Sequence, residues 1–115
     1  MIKKNADMER EVRERMRGGI GSVEFVHIFR KQDLTGKARL FARMRLPPGS
    51  SIGFHTHEGE EEIFYILSGE GEVRETEMPV SVGPGDAMLT GGGAGHSIAN
   101  TGTQPLEFLA VILVY

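Results

Sequence analysis

Residues 49–69 read GSSIGFHTHEGEEEIFYILSG. His55 and His57 stand two apart, and on a β-strand residues two apart point to one face. Gly59 permits a turn. Glu62-Ile63-Phe64-Tyr65-Ile66-Leu67 then reads as a second strand returning antiparallel to the first. Parity puts Glu62, Phe64 and Ile66 on one face and Ile63, Tyr65 and Leu67 on the other. A carboxylate at the start of that strand is expected across the ladder from His57, within side-chain reach. By itself an H-x-H pair is weak evidence, since two surface histidines are commoner than two ligands. Glu60 and Glu61 read as a solvated acidic turn, whereas Glu62 enters the apolar strand directly.

Outward from this stretch the chain continues in the same rhythm. Val23, Phe25, His27 and Phe29 alternate with Glu24, Val26 and Ile28; Leu40, Ala42, Met44 and Leu46 alternate with Arg39, Phe41, Arg43 and Arg45. Such period-2 alternation marks half-buried strands. Further strands are expected around 52–57, 62–67, 72–76, 80–82, 87–89, 96–99 and 106–115. Glycine, proline and asparagine clusters separate them, among them Gly83-Pro84-Gly85-Asp86 and the run from Gly91 to Gly95. Short strands at this spacing predict an all-β antiparallel sandwich or barrel. Residues 1–21 read as an N-terminal arm and 22–115 as one barrel domain. Within the arm, Met8, Val12 and Met16 fall at i, i+4, i+8, so Asp7 is expected to cap a short helix ending near Arg17, before Gly18-Gly19.

The bulk composition narrows the function. The chain has 115 residues, the size of one domain, with 16 Gly and no cysteine. Disulfides, thiolate metal sites and a cysteine nucleophile are therefore excluded. The net charge of −3 disfavours a nucleic-acid partner, which would call for clustered Lys and Arg. The early arginines alternate with Glu9, Glu11 and Glu14, so their field largely cancels. The longest apolar stretch, Phe108 to Tyr115, is too short for a membrane helix. A cytoplasmic setting with no membrane partner is expected.

Two spaced motifs carry a resemblance. Gly49-x5-His55-x-His57-x4-Glu62-x6-Gly69 resembles the first motif of the cupin superfamily, and Gly85-x5-Gly91-x-Gly93-x2-His96-x3-Asn100 resembles the second. The chain departs once: Gly91 stands where the pattern usually has proline, a loop position that donates no ligand. The resemblance implies a double-stranded β-helix, or jelly-roll, barrel with a metal inside, near one mouth. It implies His55, His57, Glu62 and His96 as ligands. Three imidazoles and one carboxylate form a borderline donor set suited to one divalent ion of Mn, Fe, Co, Ni, Cu or Zn. In an octahedral shell such a set leaves two positions for water, substrate or dioxygen.

The expected function is a metalloenzyme acting on a small oxygenated molecule (carboxylate, keto acid, aromatic or sugar), with the metal as Lewis acid or dioxygen site. A decarboxylase, dioxygenase or isomerase would fit. The alternative is a non-catalytic cupin that binds or senses a small ligand. That alternative draws support from the want of a clear acid or base: Tyr65, Glu61 and His27 are candidates, none with the right placement. His27 reads as a core or rim histidine. Phe64, Ile66, Ile98 and Arg43 are expected to line a substrate pocket, although Pro47-Pro48 hides the parity of the strand bearing Arg39, Arg43 and Arg45. Leu106–Tyr115 is apolar on both faces beyond Glu107, which predicts a homodimer covering one of them. The resemblance points the same way, since small single-barrel cupins are often dimers.

Overall fold

The computed structural model describes all residues, 1–115, as ten strands in two antiparallel sheets. The strands are β1 (Glu9–Glu14), β2 (Ser22–His27), β3 (Ala38–Leu46), β4 (Ser51–Thr56), β5 (Glu60–Ser68), β6 (Gly71–Arg74), β7 (Pro79–Val82), β8 (Ala87–Gly91), β9 (Gly95–Asn100) and β10 (Leu106–Val114). One sheet runs β1-β2-β3-β10-β5-β8 and the other β4-β9-β6-β7. The two pack face to face as a jelly roll. No helix is long and apolar enough to cross a membrane.

The alternation read from the sequence places the core. Ala42, Met44 and Leu46 of β3 are buried, as are Phe64 and Ile66 of β5, and Leu106, Phe108, Ala110 and Ile112 of β10. Ile52 and Ile98, paired directly across β4 and β9, meet them from the other sheet. Burying each of these larger side chains contributes about 1.5–3 kcal/mol against leaving it in water. At the far end Asn100 ties three segments together. Its amide donates to the carbonyls of Leu46 and Gln104, both at 2.8 Å, and its Oδ1 accepts from Gly102 N–H at 2.9 Å.

Two expectations are corrected here. The N-terminal arm is not a helix: Asn5–Asp7 is one 3-10 turn, and Glu9–Glu14 pairs with β2 from Glu9↔His27 to Glu14↔Ser22. The open edge of β2 offers a row of backbone partners. An isolated short helix would have had little packing to sustain it. Of the three residues in the supposed stripe, only Met16 packs against the core, while Val12 stays exposed. The charged strand that results suits a sheet edge.

The second correction concerns β4 and β5. They form no hairpin ladder: β4 pairs with β9, and β5 pairs with β10 and β8. The turn at Gly59 (φ 68°) carries the chain from one sheet to the other. Glu62 therefore faces the histidines across the barrel interior.

Candidate metal centre

The four-stranded sheet supplies the histidines. His55 of β4 and His96 of β9 are direct ladder partners, and His57 follows one residue after β4 ends. Glu62, near the start of β5, reaches in from the other sheet. One donor atom from each of these four residues lies within 4.8 Å of all the others. His57, Glu62 and His96 are buried and His55 is half-buried. Glu62 Oε1 stands 3.0 Å from both His57 Nε2 and His96 Nε2, and those two nitrogens are 3.1 Å apart.

The tautomers follow from the outer contacts. His57 Nδ1 is 2.7 Å from Glu60 Oε2. Arg39, bound to the same carboxylate at 2.8 and 2.7 Å, together with the His57 contact, holds Glu60 down to about 2, so Glu60 is an acceptor only. His57 Nδ1–H must donate, which leaves a lone pair on Nε2. His55 Nδ1–H donates to the Gly53 carbonyl at 2.8 Å, aiming its own Nε2 lone pair inward. Burial pushes the His55 imidazole below the usual histidine value; the nearby His96 and His57 add to this and the Gly53 carbonyl opposes it. With a neutral His57 ring, its Nε2 lone pair and the ionised Glu62 carboxylate meet at 3.0 Å as two acceptors. A metal ion between them satisfies both, as would a proton on either group, and the donor set suits the metal.

His96 is held differently. Its Nδ1 is buried with no protein partner. The ring instead stacks on Phe64, with centroids 4.8 Å apart and planes 15° apart. Packing fixes an orientation that a hydrogen bond fixes for His55 and His57.

The cluster lies at the end of a cavity of about 600 Å³. Phe64, Ile52, Met44 and Ile112 form its apolar wall, and arginines of β1, of the 15–17 turn and of β3 crowd its mouth. Of the residues expected to line a pocket, only Phe64 does so. Ile66 and Ile98 are buried in the core, and Arg43 lies on the opposite side of β3 from Ala42 and Met44, away from the cavity. Arg39 reaches the cavity for a reason parity hides. A bulge opposite Ile112 and Leu113, which pair with Leu40 and Ala38, leaves Arg39 out of the ladder. His27 lines the same cavity but stands outside the cluster; its Nε2 is 2.6 Å from Glu11 Oε1, and its ring stacks on Phe25. Arg13 and His27 hold the Glu11 carboxyl below its usual value. Tyr65 and Glu61 do not line the cavity.

Glu60 is the residue that sequence reasoning passed over as solvated turn. Its spacing of three from His57 across a glycine was the available signal. Replacing Glu60 with Gln removes the charge that orients His57 and anchors Arg39. Metal affinity measured against a competing chelator is expected to fall by about 10–100-fold, the usual worth of such an outer partner. Because the folded pKa is depressed from 4.5 to about 2, the stability that Glu60 contributes is present above about pH 4.5 and is lost as pH falls toward 2. Acid unfolding of the Gln variant is expected to lack that component.

A jelly-roll barrel with three histidines and one glutamate gathered between its sheets defines a class, and the Cupin domain model matches residues 42–112. The chain belongs to the cupin family. It is 50% identical over 114 residues to a Thermotoga maritima protein named oxalate-binding protein, covering 99% of this chain and 94% of that one. A crystal structure described as a predicted oxalate decarboxylase from Thermotoga maritima superposes with a TM-score of 0.94 at 50% identity, covering 100% of both chains. The polyketide cyclase RemF from Streptomyces resistomycificus shares the fold alone, with a TM-score of 0.77 at 21% identity over 99% of this chain and 80% of that one.

Gly91, where the family pattern usually has proline, also has a structural explanation. It pairs with Glu61, and a Cβ there would come within 2.5 Å of the Glu61 Cβ and 3.0 Å of the Glu60 carbonyl oxygen. Glycine lets β8 close against the strand that carries Glu60 and Glu62.

Proposed function

We propose that this chain holds one divalent transition-metal ion through His55, His57, Glu62 and His96 and uses it to bind a small dicarboxylate, with oxalate the first to test. The observation that carries the reading is the convergence of three imidazoles and the Glu62 carboxylate, their donor atoms within 4.8 Å of one another, beside a cavity large enough for a small ligand. The name of the 50%-identical relative supports oxalate as the ligand. When bound, the ion supplies a Lewis acid for carboxylate oxygens. The protein's own residues aim the donors, wall off water with Phe64, Ile52 and Met44, and leave the mouth open to solvent.

The test is calorimetric titration of oxalate into metal-loaded protein, before and after chelation. Binding that appears only with metal supports the proposal; equal binding by the chelated protein would sink it. The ion competes with protons for three imidazoles and a carboxylate, so metal occupancy is expected to fall as pH drops below about 6. Burial lowers the proton affinity of His55 and so weakens the proton's side of that competition there. Occupancy that holds steady well below the histidine range would refute the ligand set.

Decarboxylation is the second reading, favoured by Glu14, the one carboxylate on the cavity wall with neither a cation partner nor a place in the cluster. Release of carbon dioxide from oxalate by the metal-loaded protein separates it from binding alone. We also propose a homodimer formed through the outer face of the six-stranded sheet.

A further inference from the structure

We infer that Arg15 and Arg17 are the anion-recognition residues of the cavity, so that it selects doubly charged carboxylates over neutral molecules of the same size. This rests on the metal-and-carboxylate reading above and adds the residues that confer the charge preference.

Three observations carry it. The first is backbone geometry. Arg15 (φ 49°) and Arg17 (φ 55°) are the only non-glycine residues in the left-handed region, and they flank Met16, whose side chain packs against the core. Glycine or asparagine takes that conformation far more easily than arginine, so arginine at both positions points to a use for the side chains. The second is charge. Both residues, exposed to solvent, line the cavity that also includes His55, His57 and Glu62, and neither has a carboxylate partner. The neighbouring arginines are engaged: Arg39 by Glu60, Arg13 by Glu11, and Arg30 by Glu9 at 3.5 Å. Besides Arg15 and Arg17, the unpaired charges on the wall are Lys31 and Glu14, so the mouth is net positive in a chain of net charge −3.

The third is rigidity. Arg15 N–H donates to the Gly21 carbonyl at 2.9 Å, and Ser51 N–H donates to the Ile20 carbonyl at 2.8 Å. The Arg17 carbonyl lies so close to Gly53 that a Cβ on Gly53 would meet it at 2.0 Å. Gly53 is also the residue whose carbonyl orients His55. The turn bearing the two arginines is thus docked on the strand that aims a member of the cluster. Two guanidiniums without carboxylate partners, on a turn whose backbone is anchored beside the cluster, are suited to a carboxylate, which each can engage through paired N–H donors.

The test uses the metal-loaded full chain. Arg15→Gly/Arg17→Gly removes both cations while relieving the left-handed strain; Arg15→Asn/Arg17→Asn is the second variant, since asparagine tolerates that region. Arg45→Gln/Arg74→Gln, which removes two cations away from the cavity wall, is the control for net charge. Metal content, melting temperature and affinity for oxalate and succinate at two salt concentrations are measured for each. The expected result is wild-type metal content, an equal or higher melting temperature, a loss of dicarboxylate affinity of about 100-fold, roughly tenfold per arginine, and a shallower salt dependence. Wild-type affinity and salt dependence in the paired variants overturn the inference and leave the metal-and-carboxylate reading standing. Loss of metal or of the fold in both variants marks the turn as structural and also overturns it. A wild-type protein that binds neither dicarboxylate with metal present overturns both.

Discussion

Replacing His57 with alanine is expected to abolish metal binding, with metal content after dialysis falling from one ion per chain to background. His57 is 2% exposed and gives the cluster its Nε2, and the same ring links the cluster to Glu60 and Arg39. Its loss therefore removes a ligand and strands its outer partner. The effect should exceed the 10–100-fold expected for Glu60→Gln, because a donor to the ion is lost outright. A second readout follows from linkage: at a free metal concentration about 100 times the dissociation constant, the ion stabilises the wild-type fold by about 2.7 kcal/mol. Added metal should raise the melting temperature of the wild type and leave that of the variant unmoved. His27→Ala is the control. His27 is as buried as Glu62, yet its Nε2 is engaged by Glu11 and it stands outside the cluster. If His27→Ala loses metal as completely as His57→Ala, the ligand set is wrong.

The second large effect concerns assembly. The outer face of the six-stranded sheet carries an apolar row that crosses four strands in register: Phe41 of β3, Val111 of β10, Ile63 of β5 and Leu89 of β8. Leu109 and Tyr65 pair in the next row, and Leu89 is 59% exposed. The N-terminal arm, which could have covered this face in a monomer, instead extends the sheet at β2. A two-fold copy of the same face would bury the row against itself. Light scattering is expected to give twice the 12.6 kDa of one chain. Val111→Glu places a carboxylate at the centre of the row. In the single chain that side chain can reach water, but in the dimer it is buried without a partner, at a cost on the order of several kcal/mol. The variant is expected to run as a folded monomer with its metal site intact. A wild type that scatters as 12.6 kDa at micromolar concentration would remove the dimer from consideration.

Much of this protein was legible in the chain itself. Alternation and the breakers between runs marked nine of the ten strands, and parity grouped Glu62, Phe64 and Ile66 on one face of β5, because a residue's face depends on local parity. Which face of β3 and of β10 turns inward was not legible: Pro47-Pro48 hid the parity of the first, and the second is apolar on both sides. The two motifs also named the four residues that gather between the sheets, since their order along the chain tracks the order of the strands that carry them. What tertiary structure alone decided is how distant segments meet. The N-terminal segment became a strand because β2 left an edge open, which no local pattern records. Glu62 reached the histidines across the barrel because β4 and β5 sit in different sheets. Arg39 turned toward the cavity through a bulge and took Glu60 as its partner, so a residue of hidden parity and one read as solvated turn became supports of His57. Arg15 and Arg17, charged residues in a charged stretch, came to line the mouth of the cavity because Met16 packs into the core and Gly53 admits the Arg17 carbonyl. Each of these depends on packing between segments far apart in sequence, where side-chain periodicity carries no information.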